Sequence, residues 1–257
     1  MSGAAALPVL MYHSAPESGS GSLLAVPRDL IDRQWAALRS EGWILRGLTE
    51  ALALSQADPA ARVVGLTFDD GYRDFLGVPD LLSKHEARAT LYLPTANLDA
   101  PEHGDGLWLS WPEAASLPRD LVEVGSHAHV HRPLDVLPQT DLDHEVQHSR
   151  QLIADRIGTE AASFCCPNGY SSHRVRRAVS DAGYSNACVI ERRLANPDGP
   201  RFAVPRVQVT PAHDESGILG LVSYGETGWI PRLKRGAYPA WRTVRFTVYR
   251  GTGKMLT

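Results

Sequence analysis

The sequence predicts an α/β fold, a (β/α) barrel of about seven parallel strands in a single domain. Short apolar segments alternate with amphipathic stretches along the chain, which is the pattern of repeated strand–helix units. The 257 residues contain no evident low-complexity linker or internal repeat, and barrels of this length are common as single domains. In such a barrel the active site lies at the carboxyl ends of the strands.

Seven apolar segments are the predicted strands. They are residues 8–12, 62–68, 89–93, 121–125, 163–166, 186–190 and 202–209. Helices are predicted between them at about 28–41, 73–86, 140–157 and 172–182. The first helix shows the pattern clearly, because apolar residues recur at helical spacing from Leu30 to Leu38 and Gly42 can end it.

We assign residues 1–210 to a catalytic barrel and residues 211–257 to a C-terminal extension packed on the same domain. The extension carries seven Lys or Arg against three Asp or Glu, so it could favour an anionic partner, although a solvated face is the simpler interpretation. The whole chain is 43% hydrophobic and has a net charge of −3. This composition indicates a globular protein with a real core and gives no electrostatic footprint for nucleic acid or an anionic membrane.

Cysteine usage and the N-terminal sequence bear on the compartment. Three cysteines, two of them the adjacent Cys165 and Cys166, do not form the framework of a disulfide-stapled secreted scaffold. No Lys or Arg precedes the first apolar stretch, and Pro8 interrupts it, unlike a signal peptide. No apolar run reaches the ~18 residues of a membrane helix. We therefore expect a cytoplasmic protein without a transmembrane segment.

The segment LTFDDGY (66–72) places Asp69 and Asp70 side by side after an apolar run. An exposed Asp-Gly turn is one interpretation. The other is a reactive site at a strand end, because burying two adjacent carboxylates is costly unless they are paired or bound to a metal. Successive residues at a strand end point in opposite directions, so the two carboxylates can have different roles.

The segment VGSHAHVHRPL (124–134) also follows a predicted strand. His127 and His131 are four residues apart, so one helical turn would bring them to one face. Two imidazoles and the Asp70 carboxylate make a three-ligand zinc site that leaves a position open for water. We interpret His129, between them, as a solvated or supporting residue and not as a ligand.

A rival pattern, HEVQH (144–148), matches the helical zinc-protease motif. On a helical wheel, however, His144 and His148 lie opposite the apolar stripe, whose members are Leu142, Val146, Ile153 and Ile157. No third ligand is evident after the motif. This segment is therefore predicted to be a surface helix, and a zinc protease is disfavoured.

Three segments together carry a family resemblance. LTFDDGY, VGSHAHVHRPL and FCCPNGYSS (164–172) resemble, in order and spacing, the first three motifs of the polysaccharide deacetylases, carbohydrate esterase family 4. The flanking LPVLMYHS and FAVPRVQV are similar to the subgroup that resembles poly-N-acetylglucosamine deacetylases, so the resemblance extends from about Pro8 to Thr210. It implies a distorted barrel, a divalent metal (Zn²⁺, or another such as Co²⁺ or Ni²⁺) and removal of an acetyl group from a sugar.

The resemblance also implies roles for individual residues. Asp70, His127 and His131 match the metal ligands, and Asp69 matches the general base. Asn168 follows the proline of the third motif, so its backbone N–H matches the donor that stabilises the oxyanion.

The general acid is assigned to His13. In much of the family this histidine lies near the C-terminus in a Leu-x-His motif, and nothing after Thr210 supplies one. In the subgroup the equivalent histidine follows an N-terminal tyrosine, as His13 does here. The alternative is a buried histidine satisfied by a backbone carbonyl.

The chain departs from the family pattern at two positions. Ala128 replaces the usual Ser or Thr beside the first metal histidine, and Cys165 stands where many members have an arginine that pairs with the base. Arg206 could replace that arginine and orient Asp69, although a surface arginine is the alternative. Cys166 is interpreted as a packing residue, since no base for a nucleophilic cysteine is identified.

The predicted function is hydrolysis of an N-acetyl group on an amino-sugar-containing substrate, whether a sugar, a glycoconjugate or a glycosylated metabolite. A deformylase, an O-acetyl esterase and an inactive glycan-binding barrel are the alternatives. The sequence does not distinguish a polymeric from a small substrate and does not predict the oligomeric state.

Overall fold

The computed structural model contains one parallel sheet that closes on itself. It describes residues 6–19, 21–99, 107–226, 240–241, 243–249 and 251–252. The strands are β1 (Val9–Tyr12), β2 (Ile44–Arg46), β3 (Val63–Phe68), β4 (Ala89–Leu93), β5 (Val122–Ser126), β6 (Ser163–Cys165), β7 (Asn186–Ile190) and β8 (Val204–Gln208). Their order around the sheet is β1-β8-β7-β6-β5-β4-β3-β2, with a further pairing of β1 with β3.

Seven of these strands close the barrel, as predicted, because β1 pairs with both β8 and β3. The short β2 pairs only with the first half of β3, from Val63 to Gly65. Its Leu45 carbonyl accepts a hydrogen bond of 3.1 Å from the N–H of Arg88, just before β4. The strand β2 was not predicted, because its three residues are too few to show a recognisable alternation.

Helices surround the barrel. They are α1 (Arg28–Ser40), α2 (Leu48–Ala57), α3 (Val78–Lys84), α4 (Thr95–Asp99), α5 (Trp111–Ser116), α6 (Gln139–Ile157), α7 (His173–Asp181) and α8 (Glu215–Tyr224). The predicted helix at 73–86 is wrong as a single element, since a 3₁₀ turn (Arg73–Gly77) precedes α3 there. In the part of the chain that the structure describes, no helix is long and apolar enough to cross a membrane.

The core packs tightly behind the strands that carry the site. All residues of β1 and β3 are buried, as expected for parallel strands covered on both faces. The Tyr12 ring stacks on Phe68 at 5.0 Å, and Trp35 of α1 donates a hydrogen bond of 3.3 Å to the Tyr12 hydroxyl. This packing fixes the positions at which β1 and β3 end.

Described residues beyond position 210 pack against the rest of the domain. The side chain of Gln34 in α1 donates a hydrogen bond of 2.6 Å to the His213 carbonyl, and α8 packs against α1. Farther on, the Arg245 guanidinium donates two hydrogen bonds to the Asp135 carboxylate, at 2.9 and 2.7 Å, and lies 3.5 Å from the centre of the Tyr170 ring.

Candidate active site

The carboxyl ends of the strands bring the predicted residues together. Tyr12 of β1 lies opposite Phe68 of β3, and the N–H of Asp69 donates a 3.0 Å hydrogen bond to the Tyr12 carbonyl. His13 and Asp69 therefore leave neighbouring strands side by side. His127 follows the end of β5 directly, and its N–H donates to the Leu93 carbonyl at 2.9 Å.

Asp70, His127 and His131 form a cluster with metal-ligand geometry. Asp70 Oδ1 lies 3.4 Å from Nε2 of His127 and 3.4 Å from Nε2 of His131. This distance is long for a hydrogen bond. Bonds of about 2.1 Å in a tetrahedral site would place the ligand atoms about 3.4 Å apart, so the donor set fits a divalent transition metal.

The orientation of His127 supports this fit. Its Nδ1 lies 2.9 Å from the Cys165 carbonyl. A carbonyl only accepts, so Nδ1 carries the proton and Nε2 is left with its lone pair towards Asp70. His127 is 2% exposed and His131 35% exposed, so the cluster is closed on the barrel side and open towards solvent.

A loop, and not the predicted helical turn, carries the two histidines. Residues 127–133 contain no helix, and Ala128 has a left-handed φ of 66°. The fully buried Glu145 anchors this loop: Oε2 accepts from the N–H of His129 (3.0 Å) and of Val130 (2.7 Å). This role of Glu145 was not predicted, although its position beside the apolar stripe of α6 indicates a buried carboxylate.

Asp69 is buried against an arginine. Arg206 of β8 donates from Nη1 to Oδ1 at 2.6 Å and from Nη2 to Oδ2 at 2.7 Å, and neither side chain is more than 3% exposed. Burial favours the neutral carboxyl, but the Arg206 guanidinium outweighs it and holds the pKa of Asp69 well below its usual range. The exposed Asp-Gly turn and the surface arginine are thereby both excluded.

Cys165 takes part in the same network. Arg206 Nη2 lies 3.0 Å from its sulfur, so the guanidinium of β8 contacts both Asp69 and Cys165. Asp69, His127 and Cys165 also lie close enough to form a metal-ligand group. Burial raises the pKa of the Cys165 thiol well above its ordinary value, and Arg206 occupies both Asp69 oxygens, so the Asp70 cluster is the better metal site.

His13 lies within the electrostatic reach of both carboxylates. Burial lowers its pKa, while Asp69 and Asp70 oppose that shift. Its Nδ1 is buried without a hydrogen-bond partner among the described residues. This is not the arrangement of a histidine whose Nδ1 is satisfied by a backbone carbonyl.

Asn168 lies in a 3₁₀ turn (Pro167–Gly169) directly after β6. It has a left-handed φ of 57°, as Asp70 does at 70°. Such values are uncommon for residues with a Cβ and persist where the surroundings enforce them. With Ala128, three of the five non-glycine residues recorded with positive φ in the described chain lie in the segments that build the site.

Trp111 and Cys166 are core residues. Trp111 is 7% exposed and donates to Asp99 at 2.8 Å, whereas Trp108 is half-buried and pairs with Tyr72, next to the site. Burial raises the pKa of Cys166 to about 12. Such a thiol is almost entirely protonated near neutrality, which argues against a nucleophilic role.

A closed parallel barrel with ionisable side chains gathered at its strand ends has the architecture of a barrel enzyme. The family model described as "Polysaccharide deacetylase" matches residues 56–187, just over half of the chain. The chain therefore belongs to the polysaccharide deacetylase family.

Individual relatives agree with this assignment. The chain is 26% identical over 217 residues to "Putative polysaccharide deacetylase YxkH" of Bacillus subtilis (strain 168), covering 83% of this chain and 75% of that protein. It superimposes on Streptococcus pyogenes deacetylase PplD in complex with acetate with a TM-score of 0.76, at 22% identity over 85% of this chain and 98% of that one. It also superimposes on the structure of IcaB from Ammonifex degensii with a TM-score of 0.72 and 20% sequence identity. That match covers 84% of this chain and 97% of the IcaB chain. The two structural matches support the fold.

Proposed function

We propose that this protein is a metal-dependent hydrolase that removes an N-acetyl group from an amino-sugar-containing substrate. The observation that carries the proposal is the pair of 3.4 Å distances from Asp70 to two imidazoles, immediately beside a base held by Arg206. Asp70, His127 and His131 would hold the metal, with zinc as the leading candidate for this donor set. When bound, the metal would acidify a water and polarise the acetyl carbonyl.

Asp69 is the proposed general base. Its depressed pKa keeps it ionised at working pH, and its two hydrogen bonds to Arg206 fix the plane of the carboxylate. An ionised, immobilised carboxylate can accept the proton of the attacking water without first reorganising. Arg206 is accordingly a positioning residue that acts through Asp69.

Asn168 and His13 complete the proposed reaction. The backbone N–H of Asn168 would donate to the oxygen that becomes negative as the carbonyl carbon turns tetrahedral. His13 would then give a proton to the nitrogen as the C–N bond breaks, so that acetate and a free amine result. The position of His13 beside Asp69, on the adjacent strand, supports this role.

The division of the chain is part of the proposal. Residues 1–210 would form the catalytic barrel, and residues 211–257 would pack on it as an extension of the same domain. The buried ion pair between Arg245 and Asp135 supports this arrangement.

The test is product release from a panel of N-acetylated, N-formylated and O-acetylated sugars. Metal-stripped protein is reloaded separately with Zn²⁺, Co²⁺ and Ni²⁺, and acetate and formate are measured. We expect acetate release from N-acetylated amino sugars. The control is the Asp69→Asn variant loaded with the same metal, which should release little acetate. Formate release or a strict preference for O-acetyl esters would replace the proposal with the corresponding hydrolase. Stoichiometric metal without turnover on any member would indicate a glycan-binding barrel.

A further inference from the structure

A second group of imidazoles lies outside the barrel mouth, on the surface of α6. It consists of His129, His144 and His148, whose ring nitrogens include a set that lies within 4.8 Å of one another. We propose that these three histidines bind a second transition-metal ion of the zinc, nickel or copper class, which clamps the loop that carries His127 and His131 to α6.

Two elements deliver the three rings. His144 and His148 are one turn apart on α6, and their rings stack at 4.8 Å with an interplanar angle of 16°. His129 comes from the loop above, and its ring centre lies 4.7 Å from that of His148. The loop is held against the helix there because Glu145 accepts the backbone N–H of His129.

The donor chemistry selects the class of metal. Three imidazoles suit zinc, nickel and copper, whereas calcium and magnesium require oxygen ligands. Metal–nitrogen bonds of about 2.1 Å need nitrogens about 3.4 Å apart, and the nitrogens here lie within 4.8 Å of one another, so the rings have to approach by up to about 1.4 Å. His144 is exposed and His129 and His148 are half-buried, which leaves room for that movement.

A threonine hydroxyl lies within hydrogen-bond distance of His129 and can support it as a metal-binding imidazole. Its Nδ1 lies 2.9 Å from the Thr95 hydroxyl at the start of α4. A hydroxyl that accepts from Nδ1 leaves the lone pair of Nε2 for a metal and fixes the plane of the ring. This contact distinguishes the cluster from three surface histidines that meet by chance.

The experiment removes the barrel-mouth site first, so that it does not depend on the proposed function. Tag-free full-length Asp70→Ala protein is titrated with Zn²⁺ by calorimetry, and its thermal midpoint is followed with and without the ion. We expect one bound zinc and a zinc-dependent rise in the midpoint. Adding His144→Ala and His148→Ala to this protein should abolish both, whereas adding His173→Ala, a change at an exposed histidine outside the cluster, should abolish neither.

A graded variant tests the support of His129. Thr95→Val in the Asp70→Ala protein should weaken zinc binding about 10- to 100-fold, as loss of such a supporting contact typically does. Circular dichroism without metal checks that every variant is folded. Asp70→Ala protein that binds no zinc at micromolar concentrations, or binding that survives the loss of both helix histidines, would overturn the proposal.

Discussion

The barrel mouth and the outer face of α6 each present three potential metal ligands, yet they are built in different ways. At the mouth the ligands come from the ends of β3 and β5, and Asp70 supplies an oxygen among two nitrogens. On α6 all three ligands are imidazoles, two of them one helical turn apart. The segment from His127 to His131 contributes to both groups.

The difference lies in what surrounds the ligands. At the mouth an ionised carboxylate, Asp69, is locked by Arg206 and faces the same space as the ligands. On α6 the corresponding acid of the HEVQH pattern, Glu145, is fully buried and accepts hydrogen bonds from the His129–Arg132 segment. The two groups therefore differ in the acid beside the ligands: among the described residues, the carboxylate at the mouth is paired with an arginine, whereas the one on α6 holds the backbone of a loop.

Removing a mouth ligand should have the largest effect. We expect Asp70→Ala and His131→Ala to lose the tightly bound metal and to slow acetate release on the order of 10³-fold or more, since several kcal/mol of transition-state stabilisation depend on the metal. His144→Ala should keep the mouth metal because its side chain lies on the other cluster. Metal content after desalting measures the expected loss in the mouth variants and the expected retention in His144→Ala. Loss of tight metal in His144→Ala with retention in Asp70→Ala would reverse the assignment.

Replacing the proposed base is expected to have the next largest effect. Asp69→Asn is nearly isosteric but cannot take a proton, so it should keep its metal and lose about 10²–10⁴ in turnover. The matched change in the rival motif, Glu145→Gln, removes no base. It should lower the free energy of unfolding by about 1–3 kcal/mol, because a buried acceptor set is disturbed, and reduce turnover less than the Asp69 change does.

Turnover, metal content and chemical denaturation of both variants separate the two acids. Wild-type turnover in metal-loaded Asp69→Asn would exclude Asp69 as the base. A larger loss of turnover in Glu145→Gln than in Asp69→Asn would indicate that the reaction takes place at the α6 histidines and not at the mouth.

The role of His13 can be separated from packing by changing the leaving group. His13→Ala should keep the fold and metal and slow amide cleavage by about 10²-fold, the lower range for loss of a general acid or base. An activated acetyl ester, whose leaving group needs little protonation, should be affected much less. Comparison of kcat/KM on the two substrates is the measurement, and equal losses on both would contradict an acid role.

The smallest effect is expected at Cys166, which is adjacent to the mouth but buried. With a pKa of about 12, on the order of 10⁻⁴ of this thiol is ionised at pH 8. The fraction rises as the pH approaches 12, so labelling of the native protein should be slow at pH 8 and faster in denaturant. Cys166→Ala should keep turnover within a few-fold. Rapid native labelling that removes activity would revive a nucleophilic role.

The barrel and the members of the mouth cluster could both be predicted from local sequence patterns. Seven strands were recognisable because parallel strands buried on both faces are continuous apolar runs. Asp70, His127 and His131 were recognisable as a potential ligand set because each lies shortly after a predicted strand. The helix at 139–157 was predicted within a residue because its apolar stripe, from Leu142 to Ile157, spans about four turns.

Contacts between distant groups could not be predicted from local patterns and became visible in the folded chain. Arg206 is 137 residues from Asp69, and nothing local distinguishes it from a surface arginine. Likewise, His129 reaches His148 only because Glu145 ties the loop to α6. Local spacing encodes helices, strands and turns, whereas pairing across the barrel depends on sheet closure and burial, which emerge only when the whole chain packs.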